Sequence, residues 1–480
     1  MGSRTFVNDR ISFSFAKSLS RGLDVPLVLT VVALSVFGLI MLYSASFDFS
    51  FNEYGSSTYM FARQARWFGL GIIGAFALSL FDYHIWRKVG VFAMLGTIGL
   101  LVGVLLVNEA RLGAVRAFLN GSYQPSELAK LIAVIYLSVW LYAKRHSLHD
   151  VTFGLIPLGV ILGIICGLIY LQPDLSAAGT VLILGGLLFY LAGADIKQII
   201  FLLLLALVIG WVVVQFSATG RDRVESFVAG FQDPTNASYH VRRSFEAIIK
   251  GGVFGVGLGE ADTKLTGLPF APTDSIFAVV AEELGLFGTV LLMSLYGALI
   301  WRGLVVARRA PDMLGTLLAS GVIFWIGLEA AINMAVMVGL MPFAGNALPF
   351  ISAGGSNLVS TLCAIGIVLN ISRQSGEGSK IEENEWRSFG AVIDLRRRDG
   401  RRSVSRARRS QRVDGYRHRR GHALGGGQGR HGGISGKTPG YCLYQRPCRR
   451  SARRRSYRVA GQSAHAWARC PCRSPHPARI

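Results

Sequence analysis

The chain has 480 residues, 51% of them hydrophobic and 16% charged, with a mean hydropathy of +0.43. Soluble domains carry about 25% charged residues, and apolar runs of about 20 residues, enough to cross a hydrocarbon core of about 30 Å, recur along this chain, so a soluble enzyme is excluded in favour of a polytopic membrane protein. The net charge of +22 is concentrated in one place: residues 1–372 hold 23 Lys+Arg against 21 Asp+Glu, and residues 373–480 hold 27 against 7.

Backbone groups in hydrocarbon must be satisfied internally, and long apolar runs without alternation do this as helices. The fold class is therefore all-α. Residues 1–25 read as a cytoplasmic N-terminal segment that leads into a span long enough to stay in the membrane, with no cleavable signal peptide. A membrane domain over 26–372 follows, with ten transmembrane helices at 26–46, 66–82, 89–107, 125–143, 152–171, 175–193, 197–216, 274–300, 313–339 and 354–372. Cytoplasmic connections are enriched in Lys and Arg. Arg87, Lys88, Lys144, Arg145, Lys197, Arg302, Arg308 and Arg309 mark one set of connections, which puts both termini inside and the connections 47–65, 108–124, 217–273 and 340–353 outside.

The 217–273 segment, a long extracytoplasmic loop between helices 7 and 8, stands out, since ordinary connections have a median of about 4–6 residues. Its GGVFGVGLG run (251–259) has no preceding strand and no following GK[ST], so it is no nucleotide loop; it reads as part of a flexible, partly re-entrant lid. Residues 373–480 read as a basic, disordered cytoplasmic tail, attracted to anionic lipid. Charge alone does not specify nucleic acid, and no nucleic-acid partner is read. The tail cysteines, Cys442, Cys448, Cys470 and Cys472, have no common zinc spacing. The composition of its final stretch also fits an out-of-frame reading of GC-rich DNA, which resequencing the gene settles.

Ionisable groups inside a bilayer are costly and mark function by default. Glu127 and Lys130, in QPSELAKL (124–131), stand three apart on one helix face and can pair; the pair either fixes helix packing or lines a polar cavity open to the outside. Asp174, in LQPDLSAAGT, follows Pro173 and suits a helix N-cap. PFISAGGSNL (349–358) offers Ser352, Ser356 and Asn357 at a helix start, either as caps or as a phosphate site. Arg63, Arg66, Arg111, Arg116, Lys250 and Lys264 fall on the outer side. Such a basic face suits a lipid carrying diphosphate at headgroup level. Asp274, in LPFAPTDSIFAVVAEELG (268–285), lies where the eighth span begins, and the T-D-S pattern allows it to cap the helix while still able to accept a proton. Glu282 and Glu283 point to different faces, and one of them is expected to meet a Lys or Arg.

QPSELAKL, QPDL, GGVFGVGLG, LPFAPTDSIFAVVAEELG and LPFISAGGSNL, in this order over about 25–373, resemble the SEDS family, the polytopic proteins typified by FtsW, RodA and SpoVE. LNISR (369–373) and Lys264 in DTKLTGLP are similar to the division-type, FtsW-like form. The chain departs from the family at Phe270, where LPE is usual, at Pro272, where HTD is usual, at Ala117, at His240, where Tyr-Gln is frequent, and at Ala353.

The resemblance implies a peptidoglycan glycosyltransferase that polymerises lipid II, an undecaprenyl-diphosphate-linked disaccharide-pentapeptide, at the outer leaflet of the cytoplasmic (inner) membrane, at the division septum. It implies as partners a class B penicillin-binding protein transpeptidase and other divisome proteins. Asp274 matches the family's essential aspartate and is the expected catalytic base. Arg63, Arg116, Glu127, Lys130, Lys250, Lys264, Ser352 and Ser356 are the expected substrate-binding residues. No cofactor is fixed by the sequence, and a divalent cation such as Mg or Mn suits a diphosphate leaving group. Two rival readings stay open from sequence: a lipid II flippase using the Glu127–Lys130 pair as a polar path, and a non-catalytic divisome scaffold.

Overall fold

The structure, a computed structural model, describes residues 23–107 and 124–375. Among these residues every regular element is helical. Twelve helices follow in chain order: α1 (Val25–Tyr54), α2 (Tyr59–Leu80), α3 (Trp86–Val107), α4 (Pro125–Ala143), α5 (Ile156–Leu171), α6 (Leu175–Leu191), α7 (Ile196–Phe216), α8 (Ala218–Gln232), α9 (Tyr239–Gly251), α10 (Ile276–Arg309), α11 (Met313–Met337) and α12 (Gly355–Ser375). Arg111, Arg116, the N-terminal segment and the basic tail with its four cysteines lie outside the described residues.

Ten of these helices overlie the ten predicted spans. Eight of them are long and apolar enough to cross a membrane. The other two are α2, which carries Arg63 and Arg66 near its start, and α6, which has 17 residues. Helix starts follow local chemistry. Asp24 accepts the Leu27 N–H at 3.0 Å ahead of α1, Asp174 the Ala177 N–H at 3.2 Å ahead of α6, and Asp312 the Gly315 N–H at 2.8 Å ahead of α11. Each carboxylate satisfies a donor that has no intrahelical acceptor. Exposed apolar side chains such as Phe92, Ile73 and Leu204 lie on α3, α2 and α7, as lipid-facing surfaces require.

The connections read as cytoplasmic meet at one end of the bundle. Arg302 pairs with Asp24 at 2.6 Å, Arg87 with Asp312 at 2.9 Å, and the Tyr83 hydroxyl donates to Asp312 at 2.8 Å. Gln374, at the end of α12, donates to Asp82 at 3.1 Å. The core fills the space between α4, α6, α10, α11 and α12, where Leu188, Ile276, Leu318, Trp325 and Val368 are buried.

The long loop differs from the expected flexible lid. It contains α8 and α9, and residues 252–275 are turns tied to α10. The glycine run lies backbone against backbone with a kink in α10: Val256 N–H donates to Glu282 O at 3.0 Å, Gly257 N–H to Glu283 O at 3.1 Å, and Leu286 N–H to Gly252 O at 3.0 Å. The kink is at Gly285, with φ 63° and ψ −157°, a region essentially restricted to glycine. A Cβ there would sit 2.3 Å from Gly255 N. The glycines serve close backbone approach, which composition alone does not distinguish from a mobile segment.

Candidate active site

At the opposite end from the Arg87–Asp312 contacts lies a polar cavity of about 370 Å³. Its wall is built where helices begin: Arg63 and Gln64 from the first turns of α2, Glu127 and Lys130 from α4, Ser176 from α6, Asp274 just ahead of α10, and Ser356 and Asn357 from α12. Helix N-termini present unpaired N–H groups and the positive end of the helix dipole. Five of them surround one polar space; Asp174 already caps that of α6, while those of α2, α4 and α10 have no side-chain cap and favour an anion there.

Lys130 is buried between two carboxylates. Glu127 lies 2.9 Å away, and Glu329 of α11 pairs with it from the other side. Asn357 donates to Glu127 at 2.8 Å and to Glu329 at 3.4 Å. Both carboxylates share the one ammonium and each also accepts from Asn357, so every group in the cluster has a partner, as its burial requires. The predicted pair is therefore a triad plus an amide, and it both fixes packing and lines the cavity.

Asp174 also lines the cavity while capping α6. Its Oδ2 accepts from Gln124 at 3.0 Å and from Ser126 at 3.1 Å, and its Oδ1 from Ser176 at 3.1 Å. Ser356 Oγ accepts the Gln124 N–H at 3.0 Å, joining α4 to α12. Asp274 is half-buried, and its carboxylate faces the 345–347 segment so closely that a Cβ on Gly345 would come within 2.9 Å of Oδ2. The cap of α10 is Ser275, so Asp274 is not the helix cap that its T-D-S context allows.

Among the described residues the cavity carboxylates do not form a cluster of three or more metal ligands. Asp174 is saturated by donors, Glu127 is held by Lys130 and Asn357, and no group of three or more His, Cys, Asp or Glu among the described residues has metal-ligand geometry.

Residues 25–377 match the sequence profile of the FtsW/RodA/SpoVE family, described as Cell cycle protein. This chain belongs to the FtsW/RodA/SpoVE family. It is 37% identical over 355 residues to a probable peptidoglycan glycosyltransferase FtsW of Geobacter sp. strain M18, covering 73% of this chain and 97% of that protein. It is equally 37% identical over 362 residues to the stage V sporulation protein E of Bacillus subtilis, covering 73% and 97%. Among solved structures it is similar to a chain from a study of how a peptidoglycan synthase complex coordinates polymerization and crosslinking, with TM-score 0.62, 28% identity, and 74% and 98% of the two chains covered. The rod shape determining protein RodA of Thermus thermophilus is similar at TM-score 0.55 and 27% identity, covering 73% and 97%.

For this family member the structure brings Asp274, Arg63, Glu127, Lys130 and Ser356 to one cavity. Lys250, Lys264 and Ser352 are not among its lining residues, and each has an evident other use. Lys250 reaches Glu246 at 3.2 Å and Asp262 at 3.1 Å, hydrogen bonds that hold its ammonium above the usual lysine pKa. Lys264 is buried against Glu283 at 2.9 Å and donates to Gly259 O at 2.8 Å; Glu283 is thus the acid that meets a lysine. Its neighbour Glu282 accepts the N–H groups of Asp262 and Thr263 at 3.1 and 3.2 Å. Ser352 Oγ donates to Thr273 O at 2.6 Å and accepts Leu348 N–H at 2.7 Å.

Sequence reasoning passed over Glu329 and Asn333. Both had a signal, an acid and an amide in the middle of the apolar run FWIGLEAAIN.

Proposed function

We propose that this chain polymerises lipid II as a peptidoglycan glycosyltransferase at the outer leaflet, with Asp274 as its base. One observation carries the reading: Asp274 opens onto a polar cavity that also holds Arg63 and Lys130 and is ringed by five helix starts. A base and an anion-favouring wall are the two requirements of a displacement in which an alcohol attacks and a diphosphate departs.

A sugar hydroxyl is a poor nucleophile at neutral pH, and a carboxylate within hydrogen-bond reach takes its proton as attack proceeds. Asp274 takes the proton from the 4-hydroxyl of the acceptor GlcNAc. The oxygen forms its bond to the donor's anomeric carbon from the face opposite the diphosphate. The bond from that carbon to the diphosphate oxygen breaks, and undecaprenyl diphosphate leaves with the electron pair. A single displacement inverts α to β, so one carboxylate is enough, by the same logic of a base opposite a leaving group seen in inverting hydrolases. Arg63 and the N–H groups at the start of α12 stabilise the developing negative charge. Lys130 contributes less of this, because Glu127 and Glu329 already balance it. Arg116, outside the described residues, is a further candidate diphosphate ligand.

The reaction takes place at the septal membrane with both termini cytoplasmic. The product strand passes to a class B penicillin-binding protein transpeptidase. Similarity to a chain of a peptidoglycan synthase complex, in which polymerization is coordinated with crosslinking, supports that pairing.

Detergent-solubilised protein with lipid II as its only substrate tests the reading. Glycan strands are expected from the parent, and none from Asp274→Asn that still folds. A flippase or scaffold makes no strands in detergent, so their absence with folded parent protein and its transpeptidase present rejects the polymerase.

A further inference from the structure

The turn that carries Asp274 is held by its main chain. Three consecutive carbonyls each receive a donor from elsewhere in the chain. Pro272 O accepts the Ala353 N–H at 2.8 Å, Thr273 O accepts Ser352 Oγ at 2.6 Å, and Asp274 O accepts Asn333 Nδ2 at 2.8 Å. The turn is also closed on itself, since Phe270 O accepts the Thr273 N–H at 2.9 Å and the Ser275 N–H at 3.3 Å. Buried carbonyls need partners, but water or local turns could have met that need. Here all three donors come from α11 and the segment leading into α12.

Asn333 is the more telling of the two side chains. It is fully buried near the C-terminal end of α11. The same Nδ2 that holds Asp274 O also donates to Asn346 O at 2.7 Å, and Asn346 is part of the cavity wall. Its Oδ1 is buried without a hydrogen-bond partner among the described residues. The Asn333 amide nitrogen thus ties the main chain of Asp274 to that of Asn346. One turn earlier on the same face, Glu329 holds Lys130. A single helix face thereby fixes the lysine of the cavity and the backbone of its aspartate.

We propose that Ser352 and Asn333 are positioning residues. They fix the Asp274 carboxylate in the cavity through the carbonyls of Thr273 and Asp274, without touching substrate. This rests on the reading of Asp274 as the base. A misplacement of about 1 Å in a reacting group lowers a rate by about a hundredfold, so such a clamp has a kinetic consequence that a packing contact lacks.

The test uses the full chain in detergent with lipid II. Ser352→Ala is expected to lower kcat by roughly tenfold to a hundredfold with KM within about twofold, because no substrate contact is lost. Ser352→Thr, which keeps the hydroxyl, is expected to restore most of the rate. Hydrogen exchange followed by mass spectrometry on peptides covering 270–276 is expected to quicken in Ser352→Ala and in Asn333→Ala, and to stay at the parent level in Ser352→Thr. Unchanged kcat in Ser352→Ala, a defect confined to KM, or unchanged exchange at 270–276 in both variants overturns the proposal. If Asp274→Asn polymerises normally, the base assignment fails, whereas the exchange measurement still reports on the clamp itself.

Discussion

Lys264 Nζ lies 2.9 Å from Glu283 Oε1, with the lysine side chain 4% exposed and the glutamate fully buried. Ser44 of α1 completes the group, donating to both Glu283 oxygens at 2.6 and 2.7 Å. The pair thus ties the long loop, α10 and α1 together. Removing one partner of a buried pair strands a charge and costs about 3–5 kcal/mol. Lys264→Met is expected to lower unfolding stability by about 3 kcal/mol, and Lys264→Met with Glu283→Gln to recover most of it. Denaturant unfolding in detergent measures both. At temperatures where Lys264→Met remains folded, its KM for lipid II is expected to match the parent, since Lys264 does not line the cavity.

The Lys130 cluster makes a different prediction because it holds two acids and one base. Lys130→Met leaves Glu127 and Glu329 buried without their cation, while Glu329→Gln leaves the Lys130–Glu127 pair at 2.9 Å intact. Unfolding measurements are expected to rank Lys130→Met as the less stable variant, by about 2 kcal/mol or more. An equal loss in both would mean that Glu127 contributes little to holding the lysine.

Much of the helical frame was legible in the sequence because apolar runs bounded by prolines, glycines and capping acids have one physical outcome in lipid. Asp274 was legible for a related reason, as an acid at a span boundary after two prolines. The helices α8 and α9 were not. Their sequences are polar, and only an interior partner shows that Val241, Ser244 and Ala247 form a buried stripe. The partner of Lys264 was equally hidden, since several outward acids lay within reach and only the fold selects Glu283. Ser352 shows the deeper limit. A serine at a helix start fits a phosphate ligand, a cap or a main-chain clamp equally well, and the distinction lies in a carbonyl 79 residues away.

His240 gives a pH-dependent prediction. Its ring stacks on Phe343 at 4.2 Å and on Phe270 at 5.9 Å, and Arg223 lies 5.5 Å from the Phe343 ring centroid. Burial, and then the positive charge of Arg223, hold the imidazole below the ordinary histidine value of 6.5. The folded state therefore binds a proton less readily than the unfolded chain. The neutral form's contribution to stability is fully present above pH 6.5 and declines as pH falls from there toward the lowered folded value. His240→Phe is expected to flatten this part of the profile relative to the parent. Thermal unfolding in detergent between pH 7.5 and pH 5.5 checks it, and parallel parent and variant profiles would remove His240 from the account.

The kink in α10 makes the most severe prediction. Gly285 sits at φ 63° and ψ −157°, where a side chain costs about 1–3 kcal/mol through the backbone alone. Space is also lacking, since a Cβ would lie 2.6 Å from Val253 O as well as 2.3 Å from Gly255 N. Both obstacles are main-chain atoms, so neither can rotate away as a side-chain tip could. The strain would pass directly to the hydrogen bonds that join 252–257 to 282–287. Gly285→Ala is thus expected to destabilise the protein by about 3 kcal/mol or more and to quicken hydrogen exchange in 252–257 before the rest of the bundle. Gly297→Ala is the matched control: that glycine lies in the same helix with nothing within 4 Å of a new Cβ, and helix propensity favours alanine there by about 1 kcal/mol. If both variants unfold alike, the kink is not what docks the loop.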